Sequence, residues 1–332
     1  MDRAYRLLQE GADVNHEAFT RVFEVVQARL PALVAKTAVA VDNNIEALYG
    51  LVEMGILLGR LPQTEPAQLA QLGNDLRVVL AETIEWSCRF EADEHGGWKA
   101  PEEYAALATY LEHGRAKQGK QPWAILTFNY DVGLEHALLL GGFRVDYGFT
   151  AMDPTVRSGA IAVHKLHGSL NWAMTEVGEL RALDLRTFTL ERRSRSRGSA
   201  VWPLSREVLA MNRGQPTDRL AIAPPSWNKT RYHEAFATIW RGAANDLAEA
   251  ETITVIGYSA PQTDGFFRDL LAIGLASPAR LRRFTVVDPS PEVGERFSSM
   301  LGPLVKSRYE YRRQTFKEFL PELRNIVAAE AA

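Results

Sequence analysis

Ala160-Ile161-Ala162-Val163-His164-Lys165-Leu166-His167-Gly168-Ser169-Leu170-Asn171-Trp172 is the stretch that decides how this chain is read. Its first seven residues form a short, mostly apolar run, the pattern of a buried strand bounded by a glycine. A His-Gly pair follows at the carboxyl end of that run. Upstream, Trp123-Ala124-Ile125-Leu126-Thr127 repeats the arrangement and ends in Phe128-Asn129-Tyr130-Asp131. Ligands of open α/β sheets bind outside the carboxyl ends of the strands, where both polar clusters are expected.

Working outward, strands are predicted at 123–127, 143–147, 161–166, 219–223, 252–256 and 283–287. Helical patterns alternate with them at 133–141, 232–249, 263–276, 291–301 and 315–330. Ile253-Thr254-Val255-Ile256 and Phe284-Thr285-Val286-Val287 lack strict alternation, as in strands buried on both faces. The expected fold class is therefore α/β: a Rossmann-like parallel sheet with helices on both faces, plus an N-terminal helical region. The expected division is 1–120 for the helical region and 121–332 for the core, with an insertion at 173–218.

In the N-terminal region, residues 16–41 read as helices with an apolar face of Phe19, Val22, Phe23, Val26 and Leu30, broken at Pro31. Asn43 and Glu46 have capping-box spacing for a following helix. Gly50, Gly55 and Gly59 fall inside that helical pattern, so they do not form a dinucleotide-binding turn. Residues 66–95 and 101–118 read as two more helices, with Cys88 as a small core residue of the first. Within the insertion, Arg192, Arg193, Arg195 and Arg197 among serines read first as a solvated loop, and second as a phosphate or nucleic-acid contact.

Composition narrows the classes. The 332 residues are 46% hydrophobic and 24% charged, the profile of a globular protein. A net charge of −3 gives no general support for nucleic-acid binding. One cysteine excludes an intrachain disulfide and a zinc site built from cysteine pairs. The N-terminus lacks a signal-peptide pattern, and no apolar run reaches the ~18 residues of a membrane span, so a cytoplasmic protein is expected.

Four predicted strand ends carry chemistry-bearing residues: Asn129 with Asp131, His167-Gly168, Gly257-Tyr258-Ser259-Ala260-Pro261 with Thr263-Asp264, and Asp288. Asp131 also suits a helix cap. His164, three residues before His167, is expected on the opposite sheet face, which argues against a metal-binding pair. The Gly257 turn offers backbone N–H groups and a hydroxyl to a phosphate or ribose, and Asp288 offers a carboxylate to ribose hydroxyls. Gly257-x-Ser259 also suggests a nucleophile elbow. A hydrolase of that type needs a histidine after the serine, whereas all seven histidines precede Ser259, and Pro261 replaces the closing glycine.

Taken in order, Thr127 to Asp131, Lys165 to Trp172, Pro224-Pro225-Ser226-Trp227-Asn228-Lys229 and Val255 to Pro261 resemble the sirtuin superfamily. Within it, they are most similar to divergent bacterial domains that hydrolyse NAD in anti-phage defence. The resemblance spans roughly 120 to 320. It implies NAD as substrate and no metal. It implies Asn129, His167 and Asp131 as catalytic residues, with Asn129 orienting the nicotinamide ribose and the attacking water. By the same resemblance Thr127, Phe128, Gly168, Gly257, Ser259 and Asp288 would bind the cofactor. The four-cysteine zinc ribbon of deacylating relatives is replaced by 173–218, which favours NAD hydrolysis. The family's glycine-rich phosphate loop is not found before residue 43, so a module that binds NAD, ADP-ribose or a partner without turnover is the alternative. A homo-oligomer and a separately encoded sensor or partner protein are further expectations.

Overall fold

The structure, a computed structural model, describes residues 1–29, 45–61, 66–88, 90–91, 98–118, 123–149, 160–175, 178–185, 199–200, 208, 219–223, 230–261, 264–276 and 279–330. The chain divides into two compact units. The first contains Met1–Lys99, Phe128–Val132 and His167–Phe236. The second contains Ala100–Thr127, Gly133–Leu166 and Ala237–Ala332.

The first unit opens with helices α1 (Asp2–Gln9), α2 (His16–Arg29), α3 (Ile45–Leu58) and α4 (Pro66–Ser87). Apolar residues at helical spacing, Phe19 and Val22 of α2 and Leu69, Leu72, Leu76 and Val79 of α4, join Leu48 and Val52 of α3 in one core. The Arg21 guanidinium fastens α2 to α4 by donating twice to the Asp75 carboxylate, at 2.7 and 3.0 Å. Gly59, at φ 60°, ends α3, and the Arg60 N–H returns to the Gly55 carbonyl at 2.9 Å. Gly50 and Gly55 thus lie in a helix and Gly59 stops it. The proposed Asn43 cap lies outside the described residues. Cys88 sits just past the end of α4 and is half-buried, so it is not the core helical residue expected.

The same unit carries a two-residue pairing of β1 (Phe90–Glu91) with β7 (Ser199–Ala200). It also carries an antiparallel sheet, β6-β5-β8, made of β5 (Gly168–Met174), β6 (Leu180–Ala182) and β8 (Arg219–Ile222). Two sequence expectations are corrected here. The strand near 219–223 exists but is antiparallel, and the insertion opens with strands where none was placed. β5 is buried along most of its length, including Ser169 and Asn171, so its pattern lacks the solvent-facing polar residues that mark a half-buried strand.

The second unit begins with α5 (Glu102–Gln118), β2 (Ala124–Thr127), α6 (Gly133–Leu140), β3 (Arg144–Asp146) and β4 (Ala160–Lys165). α7 (Thr230–Glu249) enters it from Ala237 onward. β9 (Thr252–Ile256), α8 (Gly265–Gly274), β10 (Arg283–Val287), α9 (Pro291–Met300), α10 (Pro303–Lys306), β11 (Tyr309–Arg312) and α11 (Phe316–Glu330) complete it. The strands form two parallel sheets, β2-β4-β3 and β11-β10-β9.

Helices cover both faces. Ile161 and Val163 of β4 and Val287 of β10 share a core with Leu134 and Leu138 of α6, Ala108 and Leu111 of α5, and Phe319 and Leu323 of α11. On the other face of β4, His164 meets Asp246 of α7, and on the other face of β10, Phe284 meets Phe297 of α9. β4 and β10 are almost wholly buried, whereas β2 and β9, which each have one edge unpaired among the described strands, are mostly half-exposed. The fold class is thus α/β with parallel sheets between helical layers, as the alternating pattern predicts. Among the described residues no helix is long and apolar enough to cross a membrane.

Candidate active site

Two short segments of the first unit are bound into one cluster. The Tyr130 carbonyl accepts the Leu170 N–H at 2.9 Å and the Ser169 hydroxyl at 3.3 Å. The Tyr130 hydroxyl donates to the Ala223 carbonyl at 2.7 Å, and the Ala223 N–H donates to the His167 carbonyl at 2.8 Å. Aromatic contacts add to this net. The Phe128 ring meets the His167 imidazole edge-on at 4.9 Å, and the Tyr130 ring lies 6.3 Å from it. Asn129 is flanked by the two residues that touch the imidazole. His167 and Asp131 are half-buried and Asn129 is exposed, so an amide, a carboxylate and an imidazole are available in one unit.

Gly168 has a backbone reason to be glycine. Its φ is 87°, and a Cβ built on it would lie 1.9 Å from the Ala221 carbonyl oxygen. The close approach there is made by strand β8. Ser169, Asn171 and Trp172 are also structural: they are fully buried, Asn171 Nδ2 donates to the Leu183 carbonyl at 3.2 Å, and Trp172 packs edge-on against Phe236.

The remaining candidates belong to the second unit. Thr127 ends β2, level with Lys165 of β4, and its carbonyl accepts the Leu166 N–H at 3.0 Å. Ile256 and Val287 are paired in register, so Gly257 and Asp288 are the next residues along their strands. Gly257 is exposed at φ 64°, with open space where a Cβ would point, and its N–H donates to the Val287 carbonyl at 3.0 Å. Ser259 is exposed. The Asp288 Oδ1 accepts the Ser290 N–H at 2.8 Å, which gives this carboxylate a structural task at the start of α9. Pro224 to Lys229, Gln262, Thr263 and the arginines of 192–197 lie outside the described residues.

Three polar pairs of the second unit escaped the sequence reading. Lys165 Nζ donates to Glu135 at 2.7 Å, with the two side chains 1% and 0% exposed. His164 Nε2 lies 2.6 Å from Asp246 Oδ2, and Gly242 leaves no room for a Cβ beside the imidazole, which would sit 2.7 Å from its Cε1. Tyr258 donates its hydroxyl to Asp264 at 2.8 Å. The signal for the first pair was present: Lys165 and Glu135 each fall within a mostly apolar run, and a buried charge requires a partner. Among the described residues no group of three or more His, Cys, Asp or Glu side chains could hold a metal ion.

No family model matches the chain. No curated protein matches it either. Among solved structures it is similar to one described as "Structural Basis for the Mechanism and Regulation of Sir2 Enzymes", with 13% identity, 76% of this chain and 75% of that chain covered, and a TM-score of 0.39.

Proposed function

We propose that the chain is a sirtuin-like NAD+ hydrolase that cleaves the nicotinamide N-glycosidic bond to give ADP-ribose and nicotinamide. The observation that carries this reading is the joining of Phe128–Asp131 to His167–Leu170 through the Tyr130 carbonyl and the His167 ring contacts. It supports treating Asn129, Asp131 and His167, far apart in sequence, as one group of reactive side chains. Gly257 and Ser259 are assigned to the phosphate and adenosine-ribose side of NAD, Asp288 to the adenosine ribose, and Thr127 and Phe128, next to Asn129, to cofactor binding.

The reaction needs little acid. As the bond between ribose C1′ and the nicotinamide nitrogen breaks, its electron pair leaves with nicotinamide, which departs neutral. Positive charge develops on the ribose, as in other glycoside cleavages. The carboxylate of Asp131 stabilises that charge. Asn129 holds the water that attacks C1′, and His167 takes the proton the water loses. No metal enters the reaction. An effector role in bacterial anti-phage defence, with NAD depletion as its output, fits the segments on which the resemblance rests. Its regulation is assigned to self-assembly or to a separately encoded sensor or partner protein.

Incubation of the protein with NAD+, followed by measurement of nicotinamide release, tests the reading. Asn129→Ala and His167→Ala are each expected to lower the rate by about a hundredfold or more. Release that survives both substitutions would remove the proposed site. Tight NAD+ binding without product would favour the non-hydrolysing module.

A further inference from the structure

The turn after β9 is held in an unusual shape by a pair of side chains that the hydrolytic chemistry does not use. Between Gly257 at φ 64° and helix α8, Ala260 adopts φ 45°, and it is the only described residue other than glycine in the left-handed region. A side chain disfavours that conformation, so the surroundings must enforce it. Ala260 is 4% exposed, which places its methyl against neighbours and not in solvent.

Tyr258 ties the turn to α8. Its ring meets Phe267 of α8 edge-on at 4.7 Å, and its hydroxyl donates to the Asp264 carboxylate at 2.8 Å. Asp264 is 5% exposed and occupies the N-cap of α8, yet it makes no cap hydrogen bond with its side chain. Its N–H donates to the Pro261 carbonyl at 3.0 Å and closes the turn from the other end. Burial, and then the charge of Asp264, push the Tyr258 phenol well above its ordinary range, so it stays a donor across the physiological range. Gly257 and Ser259, on either side of Tyr258, are both exposed.

We propose that Tyr258, anchored by Asp264, is a positioning residue that fixes the 257–261 turn in the shape that takes the phosphate–ribose part of NAD. The proposal rests on the NAD reading above. Tyr258 itself faces Phe267 and Asp264, so its effect on the ligand passes through the backbone on either side of it. A turn preset in this way binds without the entropic cost of ordering.

Calorimetric titration of the full chain with NAD+ and with ADP-ribose tests this, together with KM and kcat for nicotinamide release. Tyr258→Phe keeps the ring on Phe267 and removes only the hydroxyl. It is expected to weaken both ligands about tenfold, the scale of one hydrogen bond to a charged group, with KM following and kcat changing less. Asp264→Asn, whose amide oxygen still accepts, is expected to retain most of the affinity. Tyr258→Phe combined with Asp264→Ala should bind no more weakly than the worse single variant. A melting temperature lowered in Tyr258→Phe with Kd and KM unchanged would reduce the pair to a structural contact and overturn the assignment alone. An unsubstituted chain that binds neither ligand would overturn the NAD reading and this assignment with it.

Discussion

The two glycine-bearing strand ends solve opposite problems. At Gly168 the backbone turns left-handed with another strand running directly against it, so the place of the missing side chain is filled by protein. At Gly257 the backbone turns left-handed with nothing in the vacant position, and the shape is held from beside it by Tyr258 and Asp264. One glycine serves packing, and the other leaves a surface open. The sequence shows two glycines after two strands and cannot separate these uses, because the neighbour that distinguishes them is Ala221.

The sharpest test of that contrast is the same substitution at both positions. Gly168→Ala drives a methyl into the Ala221 carbonyl and is expected to cost about 4 kcal/mol or more, read as a collapsed urea midpoint. Gly257→Ala meets no atom and should cost only the left-handed penalty, about 1 kcal/mol. Equal losses at the two sites would erase the distinction.

Between those extremes stands the buried ion pair. Lys165→Met leaves Glu135 without its cation and is expected to cost about 3 kcal/mol in denaturant unfolding. Adding Glu135→Leu should recover much of the loss, since the pair's cost lies in stranding one charge. A double variant as unstable as the single one would show that the pair contributes more than mutual neutralisation.

The smallest effect is expected at the start of α11. Thr315 and Glu318 form a reciprocal cap: the Glu318 N–H donates to the Thr315 hydroxyl, while Glu318 accepts from the Thr315 N–H at 2.8 Å. Thr315→Ala should cost about 0.5–1 kcal/mol. Hydrogen bonds from the Thr315 N–H and then from its hydroxyl hold the Glu318 carboxyl below its ordinary range. Its contribution is therefore present above the unfolded pKa and lost as pH falls through the lower folded one. The difference between the two proteins should narrow in acid, as the bond from the Thr315 hydroxyl to the carboxylate is lost and the Glu318 N–H bond to that hydroxyl remains; a difference that widens in acid would contradict the cap.

Much of the parallel architecture was legible in the sequence, since β2, β3, β4, β9 and β10 fall within a residue or so of the apolar runs that mark them. The antiparallel sheet was not. β5 buries Ser169 and Asn171 by satisfying them with the Tyr130 and Leu183 carbonyls, and such partners are distant in sequence. β11 was missed because its Tyr309-Glu310-Tyr311-Arg312 reads as polar, although Arg312 is matched by Glu310 and Glu322. At the candidate site, the residue types after β2 and β4 were legible. Their attachment through the Tyr130 carbonyl was not, because a backbone oxygen leaves no trace in composition.

The lysine that ends β4 has one more consequence. Dissolved ions act through water, and water does not reach a side chain that is 1% exposed, so added salt should leave its attraction to Glu135 nearly untouched. Arg282 and Glu251, 79% and 46% exposed, enjoy no such shelter. In concentrated brine the periphery of the second unit should therefore loosen while the strand leading toward His167 keeps its anchorage.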